Sequence, residues 1–195
     1  MTTDAGLART ARLDVLFTGY AELPRVAGTV SLVRDGDRVI VVDPGMVPAR
    51  SSITDPLGRL GVSPADVTDI VLSHHHPDHT VNTALFGEVP VHDFQAVYTR
   101  DQWQPRAAEG VQLTPSVWLL ETPGHTLQDL SVLVGTADQI VALTHLWWTA
   151  DGPTEDPYSP DRAVLRAQRE RVLGLVDLVV PGHGPAFAPG PDTPR

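Results

Sequence analysis

The sequence predicts a mixed fold, of the α/β class in its α+β form, in which two β-sheets pack face to face and helices cover them. Two strand-rich halves are separated and followed by segments with a helical pattern. Short β-rich runs bounded by Gly, Pro and Asp turns recur in both halves, which is typical of strands. A chain of 195 residues, 42% of them hydrophobic, is long enough to build one hydrophobic core, so we expect a single domain over residues 12–187.

In the first half, the Asp35-Gly36-Asp37 turn joins two β-rich runs and predicts a hairpin. A helix closed by Gly61 is expected later in this half. Residues 93–116 carry no pattern that decides between helix and strand. The predicted strands are 12–18, 29–34, 38–42, 69–73 and 89–92, and the predicted helices lie within 47–61 and at 80–86.

In the second half, four more strands are predicted, at 117–121, 130–134, 139–143 and 177–180. Pro160 and Asp161 suit the first turn of a helix over 160–174. Residues 149–160 are rich in Pro, Gly and acids and predict a long loop, potentially a lid. The termini, residues 1–11 and 188–195, are polar or proline-rich and are expected to be flexible.

Two absences in the composition exclude much chemistry. The chain has no Cys, and all 14 of its basic residues are Arg. There can be no disulfide framework, thiolate zinc site, iron–sulfur cluster, Cys nucleophile or Schiff-base Lys. Any metal must therefore be held by His, Asp or Glu.

The charge and hydropathy pattern sets the expected partners and compartment. A formal net charge of −10 argues against nucleic acid as a partner, because phosphate binding requires basic patches. No signal-peptide pattern and no long apolar run occurs in the sequence. We therefore expect a cytoplasmic protein without membrane attachment that acts on a small molecule as a monomer or homodimer.

The placement of the eight histidines is the strongest signal in the sequence. Ser73-His74-His75-His76-Pro77-Asp78-His79 follows a predicted apolar strand, and His125, His145 and His183 each follow another predicted strand. In an extended segment, residues 74 and 76 point the same way while residue 75 points elsewhere. Two such imidazoles and a third from a distant loop make the ligand set of a catalytic metal with an open position for water.

The alternative is that these histidines are ordinary surface or core residues, which is the usual role of a lone His. A cluster directly after an apolar strand, with further strand-end histidines downstream, favours the metal interpretation. His92 is expected only to end a strand, and His75 to face solvent or play a structural part.

The motif over 73–79 resembles the HxHxDH signature of the metallo-β-lactamase fold hydrolases. The similarity extends to Asp43 in Val-Asp-Pro-Gly, to His125 in Pro-Gly-His-Thr and to His183 in Pro-Gly-His-Gly, over about residues 12–187. The resemblance implies a four-layer αββα sandwich of two mixed β-sheets with one or two metal ions at a sheet edge, and the chain length fits the single-domain members of that family.

Carried over position by position, the resemblance implies two ligand sets for zinc, with iron, manganese or nickel as alternatives. The first metal takes His74, His76 and His125, and the second takes Asp78, His79 and His183. Asp43 is expected to support the ligand loop from outside the metal shell. Asp78 is also the expected catalytic group that passes a proton to the leaving group.

The chain departs from that family at His145, where members usually have an Asp that bridges two ions. A carboxylate spans two ions with its two oxygens, whereas a neutral imidazole offers one lone pair. His145 is predicted to bind one ion terminally, with a weakly held second ion or a preference for iron, manganese or nickel as further possibilities. Alternatively its ring swings out, or Asp151 supplies the lost charge.

The substrate pocket is expected to be built by residues 19–28, 93–116 and 146–160. Trp147, Trp148 and Tyr158 are candidates to line it, with core packing as the alternative role. Three arginines are candidates to hold an anionic substrate, and nothing in their spacing selects one: Arg25, Arg100 and Arg106.

These observations predict a metal-dependent hydrolase. Metal-bound hydroxide would attack an ester, thioester, lactone, amide or phosphoester, and a second ion would stabilise the oxyanion. The alternatives are a mono- or di-iron oxidoreductase or oxygenase on the same fold, and a non-catalytic module that binds a metal or ligand.

Overall fold

The computed structural model describes residues 6–195, and the first of its two main sheets has seven strands. The sheet order is β1, β4, β5, β6, β7, β8, β9, in which β5, β6 and β7 run parallel and the other neighbouring pairs are antiparallel. Its strands are β1 (Arg12–Phe17), β4 (Val30–Asp35), β5 (Arg38–Val42), β6 (Asp69–Val71), β7 (Val91–His92), β8 (Ala96–Thr99) and β9 (Gln102–Pro105).

The second sheet has five strands in sequential order, and its last pair, β13 and β14, is parallel. These strands are β10 (Gln112–Thr114), β11 (Val117–Glu121), β12 (Leu130–Gly135), β13 (Ile140–Thr144) and β14 (Leu178–Pro181). A separate two-stranded hairpin is formed by β2 (Tyr20–Glu22) and β3 (Arg25–Ala27).

The buried side chains show four layers. One core lies between the sheets, where Ile40 and Val71 of the first sheet cluster with Val132 and Val141 of the second. The outer face of each sheet is covered by one helix: α1 (Ser51–Arg59) on the first and α3 (Arg162–Leu173) on the second. The structure is therefore the αββα sandwich that the sequence resemblance implied.

The remaining helix, α2 (Pro77–Thr80), is short. It lies at the sheet edge, in the segment that follows β6. Pro77 is at its first position, where the missing amide hydrogen costs nothing. The helix predicted at 80–86 is only partly present, because the chain leaves helical geometry at Asn82 and continues as a 3₁₀ turn over 83–86.

The short strands are where the prediction from sequence was incomplete. Residues 93–116 form β8, β9 and β10, and residues 20–27 form the β2–β3 hairpin, neither of which the pattern indicated. Strands of three or four residues are too short to show an alternation, so their pairing partners rather than their own sequence decide them.

Residues 1–5 lie outside the described part of the chain, so the prediction of a flexible N-terminus can be compared with the structure only from Gly6 onward. There, the Ala8 amide donates to the Pro115 carbonyl (2.8 Å) and Ala11 is buried. At the other end, the Pro194 carbonyl accepts from the Trp147 indole (2.8 Å). The mobility of both termini stays a prediction. No helix within residues 6–195 has the length and apolar character to cross a membrane.

Candidate metal centre

Most of the strand-end histidines and the 74–79 motif meet at one edge of the sandwich. His74 follows β6 and His125 follows β11, while His145 directly follows β13 and His183 follows β14 after Gly182. All four are buried, with 1% to 6% of their surface exposed. Because parallel neighbouring strands end at the same edge, the strand order of the two sheets carries these side chains to one place.

The first group of ligand atoms consists of His74, His76 and His125, whose nitrogens lie within 4.8 Å of one another. His125 Nε2 is 3.1 Å from His76 Nδ1, and His74 Nε2 is buried without a hydrogen-bond partner. Burial, followed by the neighbouring imidazole charges, holds the pKa of His74 well below its usual value. A neutral His74 offers its lone pair to a cation.

The second group consists of Asp78, His79 and His183. Asp78 Oδ2 lies 3.4 Å from His79 Nε2 and 3.5 Å from His183 Nε2. His183 Nδ1 donates to the Ala27 carbonyl (3.0 Å), so its other nitrogen faces the group. Burial raises the pKa of Asp78, but its hydrogen bond with His79 and the imidazole charges outweigh burial and lower the pKa to about 2.

Asp43 fixes two of these imidazoles from behind. Its carboxylate accepts hydrogen bonds from the Ser73 amide (2.6 Å), from the Ser73 hydroxyl (2.6 Å) and from His79 Nδ1 (2.9 Å). Ser73 Oγ in turn lies 3.0 Å from His74 Nδ1. The structure therefore places Asp43 where the sequence predicted it, holding the Nε2 atoms of His74 and His79 toward the site.

His145 lies between the two groups. Its ring centroid is 4.1 Å from that of His125, 4.6 Å from that of His74 and 4.8 Å from that of His79. Its Nε2 is 3.0 Å from His183 Nε2, and its Nδ1 is buried without a partner. Burial, and then the neighbouring imidazoles, hold the pKa of His145 well below its usual value. The ring points inward, toward both groups.

Gly182 makes room for this larger side chain. A Cβ atom at residue 182 would lie 2.4 Å from His145 Cδ2 and 2.7 Å from His145 Nε2. Those separations are far below van der Waals contact, so the imidazole can lie against this stretch of backbone only because residue 182 is Gly.

The buried carboxylate that the 146–160 loop brings to the site is Asp156. Its Oδ2 lies 2.7 Å from His125 Nδ1 and accepts from the Trp148 indole (2.9 Å), while its Oδ1 accepts from the Tyr158 amide (2.9 Å). Burial raises the pKa of Asp156, but the hydrogen bond with His125 prevails and the pKa is lowered. The sequence pattern did not indicate Asp156; the candidate in this loop was Asp151, which is exposed.

The loop carrying Asp156 is held by a buried arginine on α3. Arg169 donates from Nε to the Leu146 carbonyl (2.8 Å), from Nη1 to the Thr154 carbonyl (3.0 Å) and from Nη2 to the Pro153 carbonyl (2.8 Å). These hydrogen bonds tie two parts of the loop to the helix: the backbone just before Trp148 and the backbone just before Asp156. Whether residues 149–160 move as a lid stays a prediction.

An apolar cleft of about 580 Å³ opens above these ligand groups. Trp148 and Tyr158 line it, stacked with ring centroids 5.9 Å apart. Trp147 does not, which corrects its assignment as a lining residue: it is fully buried and packs on Phe187. The Trp147 indole donates to the Pro194 carbonyl and the Trp148 indole to Asp156, so the two side chains leave this segment in different directions and only Trp148 reaches the cleft.

The cleft walls come from 21–26, from Met46 and from the 146–160 loop, whereas residues 93–116 contribute nothing to them, contrary to expectation. The three candidate arginines also lie elsewhere. Arg25 stacks its guanidinium 4.8 Å above the Tyr20 ring, Arg100 pairs with Glu88, and Arg106 donates to backbone carbonyls.

The two remaining histidines take the roles expected of them. His92 ends β7, and its Nε2 lies 3.0 Å from Asp69 Oδ1, away from the ligand groups. His75 is half exposed and lies 2.8 Å from Asp93 Oδ2, which also accepts from the Tyr98 hydroxyl (2.6 Å).

The donors present fit a bound metal ion. Among the candidate ligands, His74 Nε2 and His145 Nδ1 are buried without a hydrogen-bond partner, and His79 Nε2 has Asp78 Oδ2 at 3.4 Å. Leaving buried polar atoms unpaired is costly, and a cation would satisfy them. Within the described residues, the four groups of candidate ligand atoms contain only imidazole and carboxylate, which suit zinc, iron, manganese and nickel.

An αββα sandwich with these histidine and aspartate groups at one sheet edge defines a protein of the metallo-β-lactamase fold class. Comparison with known proteins agrees: the family model of the metallo-beta-lactamase superfamily matches residues 23–190. The chain belongs to that superfamily.

Two curated relatives carry the name metallo-beta-lactamase domain-containing protein 1. The chain is 31% identical to the one from Xenopus laevis over 197 aligned residues, which cover 90% of this chain and 80% of the relative. It is 37% identical to the one from Homo sapiens over 183 residues, which cover 87% and 68%.

Solved structures share the fold at lower identity. A candidate metallo-beta-lactamase of Thermotoga maritima superposes with a TM-score of 0.75 at 24% identity, covering 93% of this chain and all of that one. An N-acyl homoserine lactone hydrolase with its product bound at the catalytic metal centre superposes with a TM-score of 0.66 at 19% identity, covering 91% and 94%.

Proposed function

We propose that this protein is a metal-dependent hydrolase that cleaves an ester, thioester, lactone, amide or phosphoester of a small molecule. The observation that carries the proposal is the convergence of two ligand groups and the shared His145 beneath an open cleft. Imidazole nitrogens of His74 and His145 are buried there without a hydrogen-bond partner. Superfamily membership and the printed description of the lactone hydrolase support the same reaction class.

One or two zinc ions are the proposed cofactor. The first would be held by His74, His76 and His125, and the second by Asp78, His79 and His183, with His145 as a further ligand. A divalent ion bound there supplies Lewis acidity and lowers the pKa of coordinated water towards neutrality.

The side chains of the protein divide the remaining work. Asp156 and Asp43 hold the imidazoles of His125 and His79 in one orientation by bonding their Nδ1 atoms. Asp78 is the proposed proton carrier to the leaving group, because its carboxylate lines the cleft floor beside His79 and His183. The apolar walls limit the access of bulk water to the reacting bond.

The proposed partner is a small molecule, with neither nucleic acid nor a membrane, and the protein is proposed to act in the cytoplasm as a monomer or homodimer. The formal charge of −10 supports a small substrate, since it repels polyanions. A cleft of about 580 Å³ is the size that drug-sized molecules occupy.

One observation favours a second candidate, an iron-dependent oxidoreductase or oxygenase. His145 stands where a carboxylate is expected, and a site richer in imidazole suits iron as well as zinc. Such a protein would be purified with iron, be coloured and consume oxygen during turnover.

The test is metal analysis of the purified protein followed by assays on an ester, lactone and phosphoester panel. We expect the purified protein to contain zinc and to hydrolyse a member of the panel, with activity that a chelator abolishes. His76→Ala should reduce both the zinc content and the rate of hydrolysis at least tenfold. His75→Ala, a change in the same motif outside every ligand group, is the control and leaves both intact. Oxygen consumption by iron-loaded protein, or metal binding with no turnover of any ester, would contradict the proposal.

A further inference from the structure

The walls of the cleft differ in character from its floor. Its floor holds His76, Asp78, His125 and His183, whereas its walls are apolar. The wall residues come from three segments, namely the β2–β3 hairpin, the turn after β5 and the 146–160 loop: Ala21, Leu23, Val26, Met46, Trp148 and Tyr158.

Several wall residues do not belong to the hydrophobic core. Leu23 is 89% exposed, Tyr158 64% and Met46 41%, so they stay in water at the cleft mouth unless a ligand covers them. Contiguous exposed apolar surface beside a polar site marks a binding surface. The Tyr158 ring centroid lies 5.5 Å from that of His125 and 6.1 Å from that of His76, so the apolar wall begins directly beside the candidate ligands.

No cationic side chain lines this cleft among residues 6–195. The chain contains no Lys, and Arg25, the arginine on the hairpin that forms one wall, is stacked on the Tyr20 ring. A substrate anion placed against these walls would lose its hydration without gaining a partner, which is unfavourable. Among the described residues, the imidazoles of the floor, with any cation they bind, are therefore the side chains of the cleft that can carry positive charge.

We infer that the substrate is an ester or lactone whose flanking group is uncharged and apolar, an alkyl chain or an aromatic ring, with no charge remote from the bond that is cleaved. This inference rests on the proposed function and narrows its substrate class. The hydrolysis adds one water across the carboxyl ester bond, with no other reactant. An ester releases a carboxylic acid and an alcohol, one of which carries the apolar group, and a lactone opens to a single hydroxy acid.

The test uses two matched esters with the metal-loaded protein. Nitrophenyl hexanoate and the mono-nitrophenyl ester of adipic acid have acyl chains of equal length, and the second ends in a carboxylate. We expect kcat/KM to be at least tenfold higher for the hexanoate. Along the series from acetate to hexanoate, each added methylene should raise kcat/KM about threefold to fourfold until the walls are covered.

Two variants locate the effect. Tyr158→Ala and Leu23→Ser should each flatten the dependence on chain length. Trp103→Ala is the control, because Trp103 is also an exposed aromatic residue (61%) but lies on β9, edge-to-face with Tyr98 and outside the cleft. Equal or faster hydrolysis of the adipate ester, or equal flattening by the Trp103 variant, would overturn the inference.

A second measurement needs neither metal nor turnover. The chain has two methionines, Met1 and Met46, so isotope labelling of methionine methyl groups gives a two-signal spectrum that Met46→Leu assigns. Hexyl methyl ketone, which cannot be hydrolysed, should shift the Met46 signal, and its analogue with a terminal carboxylate should require at least tenfold more ligand. If neither ester is cleaved, the inferred carboxyl ester substrate is wrong, whereas absence of turnover on the whole ester, lactone and phosphoester panel would contradict the proposed function. The Met46 signal decides the apolar occupant independently of both. A Met46 signal that responds to neither ketone, or to both alike, would overturn the inference.

Discussion

Asp156 Oδ2 lies 2.7 Å from His125 Nδ1, and both side chains are buried. The contact joins the long loop after β13 to the loop after β11, and it fixes which nitrogen of His125 faces the ligand groups. A carboxylate behind a metal-binding imidazole sets the tautomer and raises the basicity of the ligand nitrogen. The same carboxylate accepts the Trp148 indole, so it also sets the position of one cleft wall.

Asp156→Asn is therefore expected to weaken metal binding about tenfold to a hundredfold, because the amide is a weaker acceptor than the carboxylate. The measurement is a competition titration of the metal against a chelator. Asp151→Asn removes the same charge from an exposed position in the same loop and serves as the control. Equal affinities for the two variants would show that the contact does not act on the metal.

His145→Ala should lower the metal content per chain, because His145 reaches ligand atoms of both groups. Elemental analysis after dialysis against a weak chelator measures this. His145→Asp, which introduces the carboxylate expected at this position, should retain the metal content of the unaltered protein. If the Ala variant keeps the metal content of the unaltered protein, His145 is not a ligand.

The extent to which sequence predicted this structure depends on the length of the element and the origin of its contacts. Strand β11 and helix α3 were predicted to within two residues, because each shows a full period of its own pattern. Residues 74–79 were recognised from a compact motif. The β2–β3 hairpin was not, because its three-residue strands are too short to show an alternation. Asp156 was not, because its place depends on a contact with His125, which is distant in sequence. Nothing in sequence separates Asp156 from Asp151, since only the folded loop buries one of them.

Arg169→Met is expected to lower the free energy of unfolding by about 2–4 kcal/mol, because it keeps an apolar stem but leaves three buried carbonyls without donors. Urea unfolding measures the change, and hydrogen exchange of the 146–156 amides should rise selectively. Arg166→Met, on the exposed face of the same helix, is the control, and its surface pair with Glu170 should contribute under about 0.5 kcal/mol. A similar small change for both variants would contradict the role given to Arg169.

The buried cluster of Asp69, Arg38 and His92 should make the protein sensitive to acid independently of any metal. Asp69 is fully buried and pairs with Arg38 Nη2 (2.5 Å) and His92 Nε2 (3.0 Å). Burial raises the pKa of Asp69, but the hydrogen bonds with His92 and Thr68 and the charge of Arg38 prevail and lower it below 3.8. A carboxyl with a lowered pKa stabilises the folded state above its unfolded pKa, and this stabilisation is lost as the pH falls through the folded value. Unfolding free energies should therefore decline below about pH 4.

Asp69→Asn should lower stability at neutral pH by about 3 kcal/mol and flatten the acid decline. Asp55→Asn, exposed on α1, should change neither. An acid decline equally steep in the Asp69 variant would show that another group causes it.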